Sequence, residues 1–475
     1  MSPRNDLPLC VDLDGTLSRS DSLWEAILLL GRNQPWWLLA LPFWLLGGKA
    51  AFKARVAASI PVDELALPWN ELFLEYLAHD PARPLYLASG ADRAIAAAVV
   101  RRWPRFAGYY ASDGKTNLTG EAKARLLTEK FGQKGFDYAG NEWKDFAIWA
   151  QARGVLVVNA SARVARAARR RFPESEVIGG VRVKMRELLK CLRPHQWVKN
   201  LLIFVPLFTA HRFHDGLALS RAGLAFVAFS GVASAFYIFN DLLDLQADRK
   251  HALKRFRPLC SGAVSIPAAL GVMAASFVVG AGCGAWLDWP FVWVLAGYAV
   301  ISALYSLVFK RLPIVDVMVL GGLYTIRIVA GAAATDVPLS SWLLIFSLFL
   351  FLSLGLAKRF TELKTKREIG ESEVGGRGYG PDDLEYVSSL GIASGYIATL
   401  VFALYISSDK VAGLYRNPQV LWAFVVLLLY WISRIWLIAH RGQLHHDPII
   451  FALKDRVSYG VLASALLVVY LAGPY

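Results

Sequence analysis

The stretch that decides the fold closes a long apolar segment, roughly residues 219–243, and reads Asn240-Asp241-Leu242-Leu243-Asp244-Leu245-Gln246-Ala247-Asp248. On a helix, offsets of three, four and seven place the three aspartates on one face. Carboxylates at the edge of a membrane helix repel one another unless a cation joins them. Mg²⁺ suits this role, because it takes one or two carboxylates together with substrate oxygens. The stretch predicts a metal–diphosphate site, and the plainer alternative is a solvated acidic helix end.

The composition indicates a membrane protein with two domains. Hydrophobic residues make up 56% of the 475 residues and the mean hydropathy is +0.41, which is high for a soluble protein. Charges are frequent in residues 1–192, whereas residues 193–475 consist of long apolar runs. The second region predicts nine helical spans, all α, at roughly 197–212, 219–243, 264–287, 289–309, 313–334, 339–362, 386–407, 418–440 and 456–474.

The formal net charge of +14 is compatible with nucleic acid, a membrane surface or phosphorylated substrates. The basic residues cluster beside apolar spans, which argues against nucleic acid. Loops on the side of the N-terminal domain carry far more Lys and Arg than the opposite loops, so we expect that domain in the cytoplasm and the chain in the inner membrane. The four cysteines have no paired spacing and predict neither a zinc site nor a disulfide framework.

The first region predicts a parallel sheet with helices on both faces. Short apolar runs near residues 8–13, 84–88, 136–139 and 154–159 alternate with helical segments near 91–102, 121–131 and 161–171. The chemistry of such sheets collects at the carboxyl ends of the strands. We place this domain at residues 1–185, a linker at 186–192, and the membrane domain at 193–475.

An insertion at about residues 22–80 interrupts that alternation and predicts a helical cap. It contains Trp36-Trp37-Leu38-Leu39-Ala40-Leu41-Pro42-Phe43-Trp44-Leu45-Leu46, which is about half of the ~20 residues that span a bilayer. This run predicts either docking at the membrane interface or a buried cap helix.

Two carboxylates stand two residues apart in Val11-Asp12-Leu13-Asp14-Gly15-Thr16-Leu17, so both lie on one face of a strand end. One carboxylate can attack phosphorus while the other shuttles a proton, and both can hold Mg²⁺. The alternative is an ordinary strand end followed by a turn.

This motif resembles that of the haloacid dehalogenase-like (HAD) hydrolases, and later segments match the family in order. They are Ser89, Lys123, and Gly140-Asn141-Glu142-Trp143-Lys144-Asp145, where the family often has Asp in place of Asn141. The resemblance implies a Rossmann-like phosphatase in which Asp12 is the nucleophile and Asp14 the general acid and base. It further implies Mg²⁺ on Asp12, Asp14 and Asp145 with Asn141 as an oxygen ligand, and phosphate on Ser89 and Lys123. A catalytically silent accessory domain is the alternative.

The aspartate stretch at 240–248 resembles that of the UbiA superfamily of intramembrane prenyltransferases. That resemblance implies Mg²⁺ held by Asn240, Asp241, Asp244 and Asp248, and a second motif after Tyr305-Ser306-Leu307-Val308-Phe309-Lys310. Only Asp316 stands where the family has a second aspartate cluster, a departure that argues against an isoprenyl-diphosphate donor.

A narrower resemblance is to the decaprenyl-phosphate phosphoribosyltransferases. It is carried by Arg193-Pro194-His195-Gln196-Trp197-Val198-Lys199-Asn200 and by segments 254–258, 326–331, 335–340, 357–363 and 446–448. It implies phosphoribosyl diphosphate (PRPP) as donor and a polyprenyl phosphate as acceptor. Basic residues for the extra phosphates would be Lys199, Arg249, Lys254, Arg255, Arg257, Lys310, Arg327, Lys358 and Arg359, of which Arg327 lies inside an apolar span. Tyr305 and Asp316 are further residues predicted at the substrate phosphates.

The sequence therefore predicts a Mg²⁺-dependent membrane transferase of phosphoribosyl to polyprenyl phosphate. The fused HAD domain would dephosphorylate the product. One rival joins a polyprenyl diphosphate to an aromatic acceptor, and another is a lipid-binding or transport protein with a regulatory domain. Membrane lipids are expected partners, and homo-oligomerisation stays open.

Overall fold

The computed structural model describes residues 7–180, 185–369, 378–408, 411, 413–444 and 448–473. His446 and Asp447 of the segment 446–448 lie outside these ranges. The chain forms two compact units, one made of Met1–Leu192 with Tyr237–Met273 and the other of Arg193–Phe236 with Ala274–Tyr475. The aspartate stretch at 240–248 therefore belongs to the same unit as the N-terminal region, although its sequence places it in the membrane domain.

The N-terminal region contains a parallel sheet of six strands within the described residues. The strands are β1 (Leu9–Val11), β2 (Leu85–Asp92), β3 (Phe106–Ser112), β4 (Asp137–Gly140), β5 (Val155–Val158) and β6 (Glu176–Ile178). Their order across the sheet is β3-β2-β1-β4-β5-β6. The four predicted strands are confirmed. Strands β3 and β6 were missed, because β3 is rich in Ala and Gly and β6 is a half-buried edge strand of three residues.

Helices cover both faces of this sheet, as predicted. Leu9 and Val11 of β1 point into one hydrophobic core, and Cys10 between them points into the other. The helices of this region are Ser22–Asn33, Leu41–Leu45, Lys49–Ala58, Glu71–Ala78, Arg93–Arg102, Glu121–Phe131, Phe146–Gln151, Ala162–Arg171 and Met185–Cys191, with 3-10 turns Pro35–Ala40, Val62–Glu64 and Trp143–Asp145. The last helix occupies the predicted linker.

The insertion is helical, and its tryptophan-rich run is exposed. Neither the 3-10 helix Pro35–Ala40 nor the helix Leu41–Leu45 contains a buried residue, and the structure describes both segments completely. The alternative of a buried cap helix therefore does not hold for this run.

Within the described ranges, seven helices are long and apolar enough to cross a membrane. They are Gly216–Leu243, Ile266–Gly284, Trp289–Leu307, Val315–Thr335, Ser341–Ile369, Leu384–Ile406 and Trp422–His440. The predicted count of nine is not confirmed. The first predicted span is a 3-10 helix, Pro194–Phe204, followed by the short helix Val205–Thr209, because Pro206 cannot continue the hydrogen-bond ladder. The last, Arg456–Ala472, has 17 residues.

Shorter elements complete this part of the chain. They are the helices Leu245–Lys250 and Pro448–Ala452 and the 3-10 turns Lys254–Phe256, Phe309–Arg311, Pro381–Asp383 and Pro418–Leu421. Close packing of the second unit depends on Gly391, because a Cβ at that position would lie 2.2 Å from Cζ2 of Trp436. The indole of Trp436 is buried there and donates to Ser353 Oγ at 3.1 Å.

Candidate active sites

The first candidate site lies at the carboxyl end of β1, where Asp12 contacts a buried lysine. Lys123 Nζ lies 2.9 Å from Asp12 Oδ1 and donates to the hydroxyl of Tyr138, also at 2.9 Å. The hydroxyl of Tyr138 donates in turn to Oδ1 of Asp145 at 3.1 Å. The structure therefore brings together three residues that the sequence predicted, and Tyr138 from β4 links them.

The loop after β4 is held by Asp145. Its Oδ2 accepts hydrogen bonds from the backbone N–H groups of Asn141 and Glu142, each at 2.8 Å, and so closes the 3-10 turn Trp143–Asp145. This bonding favours a structural contribution from Asp145 beside its predicted contact with metal. Asn141 packs on the turn after β1, where a Cβ on Gly15 would lie 2.0 Å from Asn141 Nδ2.

Asp14 lies between β1 and the cap. Its Oδ1 accepts from the backbone N–H of Ser22 at 2.8 Å, at the start of the helix Ser22–Asn33. Lys53 of the cap donates to the carbonyl of Gly90 at 2.6 Å, and both Lys53 and Asp14 line a cavity of about 40 Å³. Ser89 is fully buried, and its Oγ accepts from the N–H of Ala91 at 3.0 Å. The sequence interpretation did not include Lys53.

Burial sets the protonation of this site. The pKa of Asp14 is raised to about 8, mainly by burial and in addition by the nearby charges of Asp21 and Asp12. Burial also raises the pKa of Asp12 to about 6, although the charge of Lys123 opposes the rise. Burial disfavours the charge of Lys123, but Asp12 and Asp145 raise its pKa overall. A carboxyl group that holds its proton near neutral pH can act as a general acid, and Asp14 meets that requirement.

The oxygen donors of this site fit Mg²⁺ only in part. In the described part of the chain, no group of three or more His, Cys, Asp or Glu side chains is arranged to hold a metal ion. Asp12 and Asp14 would therefore need help from the Asn141 amide oxygen, backbone oxygens or the substrate phosphate, which are ligands that Mg²⁺ accepts.

The second candidate site is the aspartate stretch. The helix Gly216–Leu243 ends just before Asp244, and the helix Leu245–Lys250 follows it. Arg257 Nη1 lies 3.1 Å from Asp241 Oδ1 and 2.5 Å from Asp248 Oδ2. Lys254 Nζ lies 3.1 Å from Asp248 Oδ1. Two of the three predicted carboxylates thus converge on one cation.

The third aspartate occupies the turn between the two helices. Asp244 Oδ2 accepts from Asn240 Nδ2 at 3.1 Å, so these two predicted metal ligands contact each other. Arg255 is exposed, and its guanidinium stacks on Phe256 at 4.8 Å from the ring centroid. It does not join the ion pairs of its neighbours Lys254 and Arg257.

Arg249 is engaged within the protein. Its Nη1 and Nη2 donate to the two carboxylate oxygens of Glu25 at 2.7 and 2.6 Å, and its Nε donates to the carbonyl of Cys260 at 3.0 Å. Gln246 Nε2 also donates to Glu25, at 2.9 Å, while Gln246 Oε1 accepts from the N–H of Ala66 at 2.7 Å. Glu25 is fully buried. This geometry favours a structural role for Arg249 over the predicted phosphate contact.

Glu25→Gln should lower the free energy of unfolding by about 1–3 kcal/mol, because the substitution removes the negative charge that Arg249 contacts in a buried site. Gln retains one acceptor oxygen, so the loss should stay moderate. Chemical denaturation of the purified protein measures it. Asp63→Asn is the matched control, since the Arg101–Asp63 pair is exposed and should contribute little. Equal stability of both variants would contradict a structural role for the Glu25–Arg249 pair.

In the other compact unit, Asp316 and Arg359 form a buried ion pair. Arg359 Nε lies 2.6 Å from Asp316 Oδ2, and their side chains are 1% and 0% exposed. The hydroxyl of Tyr379 donates to Asp316 Oδ1 at 2.7 Å, and Arg359 Nη1 lies 2.5 Å from Glu362 Oε2. Burial raises the pKa of Tyr379, and its hydrogen bond to Asp316 adds to the rise.

Three residues predicted to bind phosphate therefore lie together, since Arg359 Nη2 also lies 3.5 Å from the hydroxyl of Tyr305. The geometry favours an internal network over direct phosphate contacts by Asp316 and Arg359. Lys310 is buried in the turn Phe309–Arg311, and Lys358 is half-buried on the same helix as Arg359.

Asp316→Asn should lower the free energy of unfolding by about 3 kcal/mol, because it leaves the buried guanidinium of Arg359 with a weaker set of partners. The double variant Asp316→Leu with Arg359→Met should lose less unfolding free energy than the sum of the losses in Asp316→Leu alone and Arg359→Met alone. The reason is that the double variant leaves neither charge buried without its partner. Thermal unfolding in lipid nanodiscs measures both. Asp316→Asn with unchanged stability and no activity would instead make Asp316 a substrate ligand.

Arg327 lies inside its span and is held by aromatic rings. Its Nε donates to Asn200 Oδ1 at 2.8 Å, and its guanidinium carbon lies 5.2 and 5.1 Å from the ring centroids of Phe229 and Tyr298. Lys199 Nζ lies 5.2 Å from the ring centroid of Tyr324, which also faces Arg327 at 5.7 Å. These cation–π contacts stabilise the charge away from water.

Several residues of these clusters were not identified from the sequence, namely Glu25, Lys53, Tyr138, Asn200, Gln246 and Tyr379. Glu25 had a usable signal, since it is a lone acid within the apolar helix Ser22–Asn33. Asn200 stood in a quoted motif beside Lys199. The partner of Tyr379 lies 63 residues away in sequence, and no local pattern indicates it.

The fold defines a multi-pass integral membrane protein with acidic residues paired to arginine and lysine at the ends of its apolar helices. Residues 201–454, more than half of the chain, match the UbiA prenyltransferase family. The chain therefore belongs to the UbiA prenyltransferase family of membrane enzymes.

Similar proteins cover both parts of the chain. An uncharacterized protein of Sinorhizobium fredii, y4nM, is 36% identical over 97% of this chain and 90% of its own length. The decaprenyl-phosphate phosphoribosyltransferase of Mycobacterium tuberculosis is 30% identical over 60% of this chain and 91% of its own. A solved UbiA homologue from Archaeoglobus fulgidus bound to GPP and Mg²⁺ is 18% identical, with a TM-score of 0.47 over 60% of this chain and 99% of that one.

Proposed function

We propose that residues 193–475 transfer phosphoribosyl from PRPP to a polyprenyl phosphate. The observation that carries this proposal is the convergence of Asp241 and Asp248 on Arg257, with Lys254 beside them. Paired carboxylates suit a metal-bound diphosphate, and the adjacent cations suit the additional phosphates of a sugar phosphate and a lipid phosphate. The similarity to a decaprenyl-phosphate phosphoribosyltransferase supports the same donor and acceptor.

The residues of the aspartate stretch fit Mg²⁺ only in part: the carboxylates of Asp241 and Asp248 converge on one cationic group, but no three acidic, His or Cys side chains of the described residues are arranged around a metal ion. Asp241 and Asp248 would hold the ion, with Asn240 and Asp244 on the same stretch as further oxygen donors. The bound ion would supply charge neutralisation for the departing diphosphate. Arg257, whose side chain is one-third exposed, and Lys254 would bind phosphate oxygens of the substrates.

In the proposed reaction, the bond between C1 of the ribose and the diphosphate breaks, and the diphosphate leaves with the bonding electrons. A phosphate oxygen of the polyprenyl phosphate forms the new bond to C1. The products are phosphoribosyl polyprenyl phosphate and diphosphate. The protein's contribution is to orient both phosphorylated substrates and to stabilise the charge on the leaving group.

We extend the proposal to residues 1–185 as a HAD-like phosphatase that removes the 5-phosphate of this lipid product. Asp12 would attack phosphorus, and Asp14 would give its proton to the departing hydroxyl. Asp14 would then take a proton from the water that hydrolyses the aspartyl-phosphate. Lys123, in contact with Asp12, would neutralise the transferred phosphate, and Ser89, which lies within β2, would donate to it.

One pair of assays tests the transferase. The purified protein with Mg²⁺ receives labelled PRPP and polyprenyl phosphate, and separately a polyprenyl diphosphate with an aromatic acid. We expect labelled lipid in the first assay only. Product in the second assay alone would establish an aromatic prenyltransferase, which the family name favours. Absence of product in both assays would favour the lipid-binding or transport alternative.

A further inference from the structure

The segment 35–46 of the N-terminal region presents a row of large apolar side chains to its surroundings. Trp36, Leu39, Phe43 and Leu46 are 81%, 71%, 71% and 85% exposed. No charged residue lies between Pro35 and Gly48. A continuous apolar surface of this kind marks a site of interaction, because burying it elsewhere is favourable.

The same segment is fixed to its domain by its other side. Leu41 and Trp44 pack against the hydrophobic core of the first unit. A Cβ on Gly31 would lie 3.0 Å from Cδ1 of Leu38, so Leu38 packs closely on the helix Ser22–Asn33. The rings of Trp37 and Trp44 lie 5.3 Å apart. The exposed row is therefore the outer face of an anchored element.

We propose that residues 35–46 insert into the headgroup region of the bilayer and so hold the N-terminal candidate site at the membrane surface. There the site would act on phosphate monoesters carried by lipids. This part of the proposal, unlike the membrane insertion, rests on the proposed phosphatase activity. A bilayer is available to this segment, because seven helices of the described residues are long and apolar enough to cross one. The segment has about half of the ~20 residues that a crossing requires, so it would lie in the interface.

The chemistry of the segment favours lipid over a protein partner. Tryptophan prefers the interface between headgroups and acyl chains, and aliphatic neighbours can reach the acyl region. Lys49 and Arg55 on the next helix are exposed and can contact anionic headgroups. A protein interface would be expected to supply a polar, hydrogen-bonding rim, which the uncharged run from Pro35 to Gly48 does not offer.

One helix connects this surface with the candidate site. The helix Ser22–Asn33 starts at Ser22, whose N–H contacts Asp14, and ends at the apolar segment. Its 12 residues span about 18 Å. Docking of the segment would therefore keep Asp14 within about 18 Å of the headgroup region and raise the local concentration of lipid-borne substrate.

The first test locates the segment. A Leu39→Cys variant in a Cys283→Ser background carries an environment-sensitive fluorophore, because the other three cysteines are buried. The full chain is placed in nanodiscs of phosphatidylcholine and phosphatidylglycerol. We expect quenching by nitroxide lipids and protection from iodide, with the reverse for the exposed control Glu129→Cys. Quenching by iodide alone, or protection from both quenchers through contact with a second copy, would overturn the lipid contact.

The second test measures its consequence. A variant combining Trp36→Gln, Leu39→Gln, Phe43→Gln and Leu46→Gln should hydrolyse phosphoribosyl lipid in nanodiscs about tenfold more slowly, with unchanged hydrolysis of soluble ribose 5-phosphate. Leu72→Gln, an exposed leucine outside the segment, should match the wild type on both. Equal losses on both substrates would overturn the recruitment role. If the probe at position 39 is quenched by nitroxide lipids but the wild-type protein hydrolyses neither substrate, the proposed phosphatase activity is overturned. The lipid contact would still be supported.

Discussion

Asp241→Asn should lower the rate of the proposed phosphoribosyl transfer by roughly 10²–10³-fold, because it removes one of the carboxylates proposed to hold the metal-bound diphosphate. Asn has nearly the same shape as Asp, so the helix end and its packing should persist. The second carboxylate on Arg257, that of Asp248, remains in the variant. Transfer of label from PRPP to lipid, measured across a range of Mg²⁺ concentrations, should therefore show both a lower maximum and a higher requirement for the ion.

The control for this experiment is Asp288→Asn. Asp288 is the residue before the helix Trp289–Leu307, a position that Asn also suits, and its side chain is exposed. It belongs to none of the acidic clusters described above, and we expect wild-type transfer. If Asp241→Asn kept at least half of the transfer rate, the aspartate stretch would not be the diphosphate site.

Asp12→Asn should abolish hydrolysis of the phosphoribosyl lipid, with a loss of roughly 10³-fold or more, because the proposed nucleophile is gone. Transfer from PRPP should continue, so the phosphorylated lipid should accumulate. Thin-layer separation of labelled lipids from nanodiscs distinguishes the two products. The amide still provides an oxygen near Lys123, so the domain should stay folded.

Asp113→Asn is the matched control for this second experiment. Asp113 lies in an exposed turn, where it accepts from the N–H groups of Lys115 and Thr116, and its loss should leave both activities near wild type. Parallel loss of transfer and hydrolysis in Asp12→Asn would contradict two separate sites. Full hydrolysis by Asp12→Asn would identify the N-terminal region as an accessory domain.

Local sequence patterns were sufficient to predict a strand or helix when the residues of that element alone indicate its type. Short apolar runs that end in a polar residue or glycine predicted β1, β2, β4 and β5, because buried parallel strands need such runs. Long apolar segments predicted the seven long membrane helices, because within lipid the backbone groups must be hydrogen-bonded inside the helix. The pattern was insufficient for β6, whose three residues bury little surface, and for the first predicted span, which Pro206 interrupts.

The sequence predicted those charged residues of the candidate sites that stand in a local motif, but it did not predict their distant partners. The spacing of Asp12 and Asp14 was enough to propose a strand-end site. The partner of Arg249 was not predictable, because Glu25 is 224 residues away in sequence and only folding brings the two together. The same limit applies to Arg359, whose contact with Asp316 spans 43 residues.

The aspartate stretch at 240–248 shows the division most clearly. Its sequence alone determined that three carboxylates follow an apolar helix, and therefore that a cation is needed there. Tertiary structure decided which basic residues neutralise these carboxylates. Arg257 forms ion pairs with Asp241 and Asp248, whereas Arg249 pairs with Glu25. Likewise, the apolar run at 35–46 is equally compatible with burial and exposure until the surrounding chain is packed. The physical reason is that residue type and spacing set what a side chain requires, and only three-dimensional proximity decides which group meets the requirement.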